Sequence, residues 1–414
     1  MSEMSNYFGE AEQKKAILLD ASNYCREYYP ILSSMSNSLD QIKSLKFDLG
    51  YDDPAGSIGL KKIIAEYESG IEGITIQPSN VIINSGGVTG TFDQVFRYLF
   101  REYLVDGRNE VIIPIPAYPE IYRSVIYNGL SPVLVATDFK NGFQPTVKEI
   151  EPYVSEKTSC IFLTSPGNPC CKYISQKELK NMVELTKDKN TTLVLDAIFE
   201  EATNNPLLPN FLSSTSYSKL VKIKGPSKDR PHMNDVRVGW SISLNPEINK
   251  GMYLASEVAG FSISLCLNNI VQSEMALRLD KQKYETNFKS FTELNGLSSE
   301  LSVYLNEISS FHNTIKEGTQ QSINLCLTHP SVEKVCIPEA GNIIFAQINE
   351  GCATRKAIQD DHDLFYYFLN KNNVGVTPGH MFHLPKEDLW FRTTMSIKPE
   401  KFIHYLKSSL DSLI

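Results

Sequence analysis

Apolar residues along the chain fall into short runs, separated by stretches in which they recur every three or four positions. NVIIN at Asn80–Asn84 and EVIIPI at Glu110–Ile115 are such runs, as are Ser131–Val135, Cys160–Thr164 and Thr192–Asp196. Each is too short for a helix and apolar at successive positions, the pattern of a strand covered on both faces. Between them, Gly90–Tyr103 and Gln176–Lys187 place apolar residues at helical spacing. This alternation predicts βαβ units, and so an α/β fold with a mainly parallel sheet between helices. From about Glu285 a long polar helix pattern takes over. Strand-like pieces come next at Asn342–Gln347 and Asn373–Thr377, then a terminal helix at Pro399–Leu413. The expected organisation is a large α/β domain over 52–285. An N-terminal arm, 1–51, would join 286–414 in a smaller α+β domain.

Composition narrows the class. A chain of 414 residues can bury a core without disulfide or metal staples. A net charge of −8 argues against nucleic acid or an anionic membrane as the main partner, because both call for a basic surface. No apolar run approaches the ~18–20 residues of a membrane span, and the polar, acidic start lacks the order of a signal peptide. Eight cysteines without a CxxC pair and seven histidines without an HxxxH pair point to reduced thiols, no metal site and a cytoplasmic protein.

Five segments carry candidate chemistry, each with a plainer reading beside it. INSGGVTGTF (83–92) is a strand, a glycine turn and a helix start, which aims backbone N–H groups at an anion or is simply a tight turn. Its glycines, at 86, 87 and 90, do not fit GxGxxG, and no GK[ST] comes after them. PIPAYPEIY holds Tyr118 between prolines, poised to stack on a flat ligand or to pack. LTSPGNPCC puts Asn168 at a strand end, where open α/β sheets bind ligands, or in a common Asn-Pro turn. LVLDAIFEEA ends a buried strand on Asp196, a carboxylate that needs a partner or caps the next helix. GPSKDRPHMNDVRVGW groups Ser227, Lys228 and Arg237; a buried lysine would be nucleophilic, an exposed one merely solvated.

The ordered set resembles the class I/II aminotransferase family, pyridoxal 5′-phosphate (PLP) enzymes of the type I fold. The resemblance runs from Tyr51 to Arg392, with 28 residues between Asn168 and Asp196 and 32 between Asp196 and Lys228. YDDPAGSIGLKKIIAEY (51–67), PEAGNIIF (338–345) and FRTTMS (391–396) look like further landmarks of the family. The resemblance implies a seven-stranded sheet of the type I kind and a role for each candidate. Lys228 would form the Schiff base with PLP and then shuttle the α-proton. Asp196 would pair with the pyridine nitrogen, Asn168 would donate to the ring's phenolate oxygen, and Tyr118 would stack on the ring. The Gly87 and Val88 amides, Ser227 and Arg237 would hold the phosphate, with Tyr51 reaching the neighbouring subunit's phosphate in a homodimer. Arg392 would grip the substrate carboxylate beside Asn168. An amino acid and a keto acid are the implied substrates, and transamination the implied reaction.

Two departures qualify that reading. Phe199 stands where the family usually has a tyrosine, so a donor to the phenolate oxygen is missing. Gly225 replaces a serine, and the nine-residue step from Lys228 to Arg237 is one longer than the commonest form. SKDRP resembles the capreomycidine-synthase-type enzymes, which cyclise or oxidise arginine derivatives, so a cyclase, lyase or oxidase is the alternative. Asp52, Asp53, Glu200 and Asp229 would attract a basic substrate. A non-catalytic relative of the fold fits poorly with an intact Lys228, and a nicotinamide dehydrogenase fits poorly with the glycine spacing.

Overall fold

The computed structural model describes residues 3–19, 53–208, 210–213, 216–230, 233–234, 236–260, 265–286 and 298–414. Tyr51 and Asp52 lie outside them. The strands among the described residues are β1 (Ile17–Leu18), β2 (Val81–Ser85), β3 (Glu110–Ile115), β4 (Ser131–Ala136), β5 (Thr158–Thr164), β6 (Thr192–Asp196), β7 (Leu220–Lys224), β8 (Val238–Ile242), β9 (Val332–Val335), β10 (Ile343–Ile348), β11 (Val374–Gly375), β12 (Thr377–Pro378) and β13 (Trp390–Thr394).

Seven strands form one sheet in the order β2-β8-β7-β6-β5-β3-β4. Only the pairs made by β8 are antiparallel, so the other six strands all point one way. Side chains alternate across the sheet. Ile161, Leu163, Leu193 and Leu195 enter one apolar cluster with Leu60, Ile64 and Met182, whereas Cys160, Phe162 and Val194 enter another with Phe92, Phe96 and Val125. Period-2 alternation thus feeds two cores, which is why these strands read as unbroken apolar runs. Helices Ile58–Glu72 and Gln176–Asp188 cover the first face, and Gly87–Asp106 and Pro119–Tyr127 the second.

A second, antiparallel sheet runs β12-β13-β10-β9. Its core joins Phe345 and Phe391 to Phe311, Phe365 and Phe402 from helices Ser298–Thr328, Asp361–Asn372 and Pro399–Asp411. Tyr7 and Leu19 sit in the same core, and β1 pairs in parallel with β11. The start of the chain therefore packs with its end. Two expectations shift. The Asn373–Thr377 run splits into β11 and β12, which pair in different sheets. The helix expected from Gly90 starts at Gly87, because Gly86 takes a left-handed φ of 95° at its N-cap. Among the described residues no helix is long and apolar enough to cross a membrane.

Candidate active site

Because β2, β3, β5, β6 and β7 run in one direction, their C-terminal ends share an edge, and antiparallel β8 starts there. That edge collects the glycine turn, Tyr118, Asn168, Asp196, the Ser227–Lys228 turn and Arg237. The backbone locks neighbouring loops together: Ser165 N–H donates to the Asp196 carbonyl at 2.9 Å, and Ala197 N–H to the Ile223 carbonyl at 2.9 Å.

The helix Gly87–Asp106 sits hard against the sheet. A Cβ on Gly239 would stand 2.6 Å from the Gly87 carbonyl oxygen, so only glycine allows this approach. Arg237, itself left-handed at φ 50°, donates from Nη2 to the Gly86 carbonyl at 2.8 Å. Its own carbonyl accepts the Gly87 N–H at 2.8 Å. This corrects the expected anion cradle: the Gly87 amide is spent on Arg237, and the first-turn donors left without an intrahelical acceptor are those of Val88 and Thr89. Gly225 lies where three elements meet. A side chain there would press on the Val238 carbonyl at 3.0 Å and on Val88 Cγ2 at 3.2 Å, so the serine common in the family would fit only if these neighbours gave by a few tenths of an ångström.

Asp196 is buried at the end of β6, with Oδ1 accepting the Ile198 N–H at 3.0 Å. Burial raises its pKa to about 7, and that one amide opposes the rise only in part. A carboxyl so placed suits a cationic ring nitrogen, which would return it to the charged form. The Tyr118 phenol is also raised, first by burial and then by Glu120; the Arg392 and Arg237 cations and a hydrogen bond with the Thr89 side chain act the other way. Tyr118 thus lies within the fields of both arginines. Arg392, buried on β13, donates from Nη1 to Asn168 Oδ1 at 3.0 Å, with its guanidinium 4.8 Å from the centre of the Phe382 ring. A phosphate-sized anion at the glycine turn, a ring against Tyr118 and Asp196, and a carboxylate at Arg392 match the donors present. PLP carries the first two of those features.

Ser227 and Lys228 occupy the turn after β7, both half-buried. The other lysines of that strand are unlike Lys228. Lys222 lies within 3.4 Å of Glu68, Glu72 and Glu200, and Lys224 within 3.1 Å of Glu68, Glu200 and Glu201, all buried but for the partly exposed Glu201. Burial pulls both lysines toward neutrality, but the surrounding carboxylates prevail and raise both pKa values, so neither is a nucleophile. The described acidic residues expected to attract a basic substrate have protein partners likewise. Glu200 faces Lys222 and Lys224, and Asp229 is clasped by Arg278. Exposed Asp53 accepts from the Ala55 N–H and lies 3.7 Å from Lys61.

Sequence reasoning passed over Cys171. It adopts a left-handed φ of 50°, its carbonyl accepts from Glu339 and Ala340, and its thiol is wholly buried beside the Phe199 ring. Burial pushes that thiol up to about 12, against the nearby positive charges of Arg392 and Lys228 and a bond from the Ile343 amide. Phe199 packs with Cys171 and Ile343, and a Cβ on Gly341 would come within 3.0 Å of its Cδ1. No polar pattern marks either contact; the left-handed conformation is invisible in CC.

The sequence pattern of the aminotransferase class I and II family matches residues 14–408. The chain is 27% identical over 233 residues to the glutamate-pyruvate aminotransferase of Haemophilus influenzae, covering 56% of this chain and 55% of that protein. It is 26% identical over 247 residues to an aspartate aminotransferase of Thermotoga maritima, covering 59% and 62%. These matches thus span little more than half of each relative's length. The crystal structure of an aspartate aminotransferase from Thermotoga maritima superposes with a TM-score of 0.80 at 20% identity, over 100% of this chain and 97% of that one. An alanine aminotransferase from Pyrococcus furiosus gives 0.78 at 17%, over 99% and 96%. At such identities the likeness is one of fold.

Proposed function

The chain belongs to the class I and II aminotransferases, a PLP-dependent family, and from that premise we propose that it transfers the amino group of an α-amino acid to a keto acid through Lys228. One observation carries the reading. Of the three lysines around the end of β7, two are held charged by buried carboxylates, and Lys228 alone stands in the turn at the edge that also bears Asp196.

PLP, when bound, supplies the electron-withdrawing ring that makes the amino acid's Cα–H bond acidic. Lys228 would hold the cofactor through its amine, and the same amine would take up and return the proton at the substrate's Cα. Asp196 would pair with the positive charge at the ring nitrogen. The Val88 amide, Ser227 and Arg237 would hold the phosphate, Tyr118 would stack on the ring, and Arg392 with Asn168 would orient the substrate carboxylate. We assign Tyr51 to the phosphate of a second subunit, which makes the enzyme a homodimer with an isologous interface, and its home the cytoplasm. The large domain of this reading is 52–285, and the small one combines 1–51 with 286–414.

A panel of amino acids, incubated with and without a keto-acid acceptor, tests the reaction. Acceptor-dependent formation of a new amino acid is expected. Product formed from arginine or a derivative without acceptor would favour the cyclase, lyase or oxidase reading, which rests on Phe199 and the SKDRP string. Tyr51→Phe should weaken PLP retention in a folded dimer, and an active monomer in sedimentation would remove the shared-site assignment.

A further inference from the structure

If Asp196 and Lys228 act on two ends of one cofactor ring, as proposed above, their separation must be held closely. They leave the sheet on different strands, β6 and β7, and nothing in the strand pairing itself sets how their loops approach beyond the edge. Lys224 ties the Glu201 turn to β7 itself, and Arg278 ties it to the residue next to Lys228. Arg278, from the helix Leu265–Thr286, donates from Nη1 to Asp229 Oδ2 at 2.6 Å and from Nη2 to Asp229 Oδ1 at 3.0 Å. The same Nη1 lies 3.4 Å from Glu201 Oε2. Asp229 comes directly after Lys228, and Glu201 sits in the turn that Asp196 opens. Arg278 Nε also meets Glu274 Oε1 at 2.9 Å, an oxygen that accepts from Arg230 Nε at 2.9 Å. Both residues after Lys228 are thus tied to one arginine–glutamate pair on a single helix.

The chemistry of the clasp favours positioning over simple cohesion. A guanidinium gripping a carboxylate through two parallel bonds fixes orientation as well as distance. Arg278 and Asp229 are 1% and 2% exposed, and the cost of taking two charges out of water offsets much of what their attraction contributes to stability. We infer that Arg278 is a positioning residue which, through Asp229 and Glu201, sets the placement of Lys228 relative to Asp196. It touches neither cofactor nor substrate.

The test uses wild type, Arg278→Lys, Asp229→Asn and, as a control within the same buried ionic cluster, Glu72→Gln. Each is stripped of PLP and reloaded with it. Two readouts are followed: the rate of PLP capture into a borohydride-sensitive chromophore, and the pH midpoint of that chromophore's visible absorbance. Arg278→Lys and Asp229→Asn should slow capture roughly tenfold or more and move the midpoint by about half a pH unit or more. Glu72→Gln should lower the thermal midpoint while leaving capture and titration as in wild type. Asp229→Asn, nearly isosteric, carries the test if Arg278→Lys does not fold. Titrations and capture rates matching wild type in both variants would overturn the inference, as would an equal change in Glu72→Gln. A wild-type protein that takes up no PLP on Lys228 would instead overturn the proposed function.

Discussion

Arg392 and Asn168 meet across the two sheets: Nη1 of the arginine donates to Oδ1 of the asparagine at 3.0 Å. The arginine enters from β13 and the asparagine from the loop after β5, so one hydrogen bond orients the proposed carboxylate grip and the residue assigned to the ring oxygen. Arg392→Lys keeps the charge but cannot make two parallel bonds to a carboxylate. Losing one hydrogen bond to a charged group forfeits about 1.5–3 kcal/mol. We expect kcat/KM for amino acids to fall roughly 10- to 100-fold, with little change for amines that lack the carboxylate. An equal loss for both would place the arginine's role elsewhere.

The lysines of the β7 region should separate cleanly by phenotype. Lys228→Ala is expected to fold, to show no borohydride-sensitive absorbance and to lose turnover. Lys222→Met leaves Glu68, Glu72 and Glu200 buried without that cation. Breaking a buried pair in this way costs about 3–5 kcal/mol. Urea denaturation of both variants checks the contrast, and a PLP adduct mapped by peptide mass spectrometry to Lys222 or Lys224 would refute it.

Asp196 makes the cofactor-free protein sensitive to pH. Its folded pKa is raised, to about 7, so its protonated form is the one that folding favours. That contribution is complete below about pH 4, where an unfolded carboxyl is also protonated, and is lost as pH rises through 7. Three units correspond to at most about 4 kcal/mol. Without PLP, Asp196→Asn should therefore melt above wild type at pH 8 and converge with it below pH 4. With PLP the order at pH 8 should reverse, because only the carboxylate pairs with the ring. Melting curves against pH, with and without cofactor, decide it.

Phe199 offers no donor to the ring oxygen. A donor there stabilises the negative charge that remains when the Lys228 Schiff base loses its proton, and so lowers the pH of that loss. A missing bond of about 1.5–3 kcal/mol corresponds to about one to two pH units. Phe199→Tyr should shift the colour titration toward acid by up to that amount. Superimposable titrations would mean that the ring is occupied wholly by its packing on Cys171 and Gly341.

The strands legible in the sequence were those whose apolar runs feed a core on each face, such as β3 and β6. β7 was not among them, for a physical reason. In LVKIK the lysines fall on one face by period-2 alternation, which reads as a solvent face. That face instead meets Glu68 and Glu72, one helical turn apart on Ile58–Glu72, and the Glu200–Glu201 pair. Charge burial of this kind depends on partners far along the chain, and no local window reports it. The same holds for Arg278, whose helix gives no hint of Asp229. The glycine turn itself is legible in the sequence, but not the bond by which the Arg237 carbonyl takes the Gly87 amide. The acidic residues near Lys228 were visible as charges, while their partners were not.

β8 runs against the other six strands of its sheet, so Arg237 reaches the edge at the beginning of a strand rather than at the end of one. Two anchors set its place: the next residue, Val238, pairs with Ser85, and the Arg237 carbonyl holds the Gly87 amide. Neither anchor depends on how the chain travels from Lys228. The guanidinium is therefore held at the Gly86 carbonyl by contacts that involve no residue between Lys228 and Arg237. The proposed phosphate end of the site is thus set by the pairing of β2 with β8 and not by the loop from Lys228.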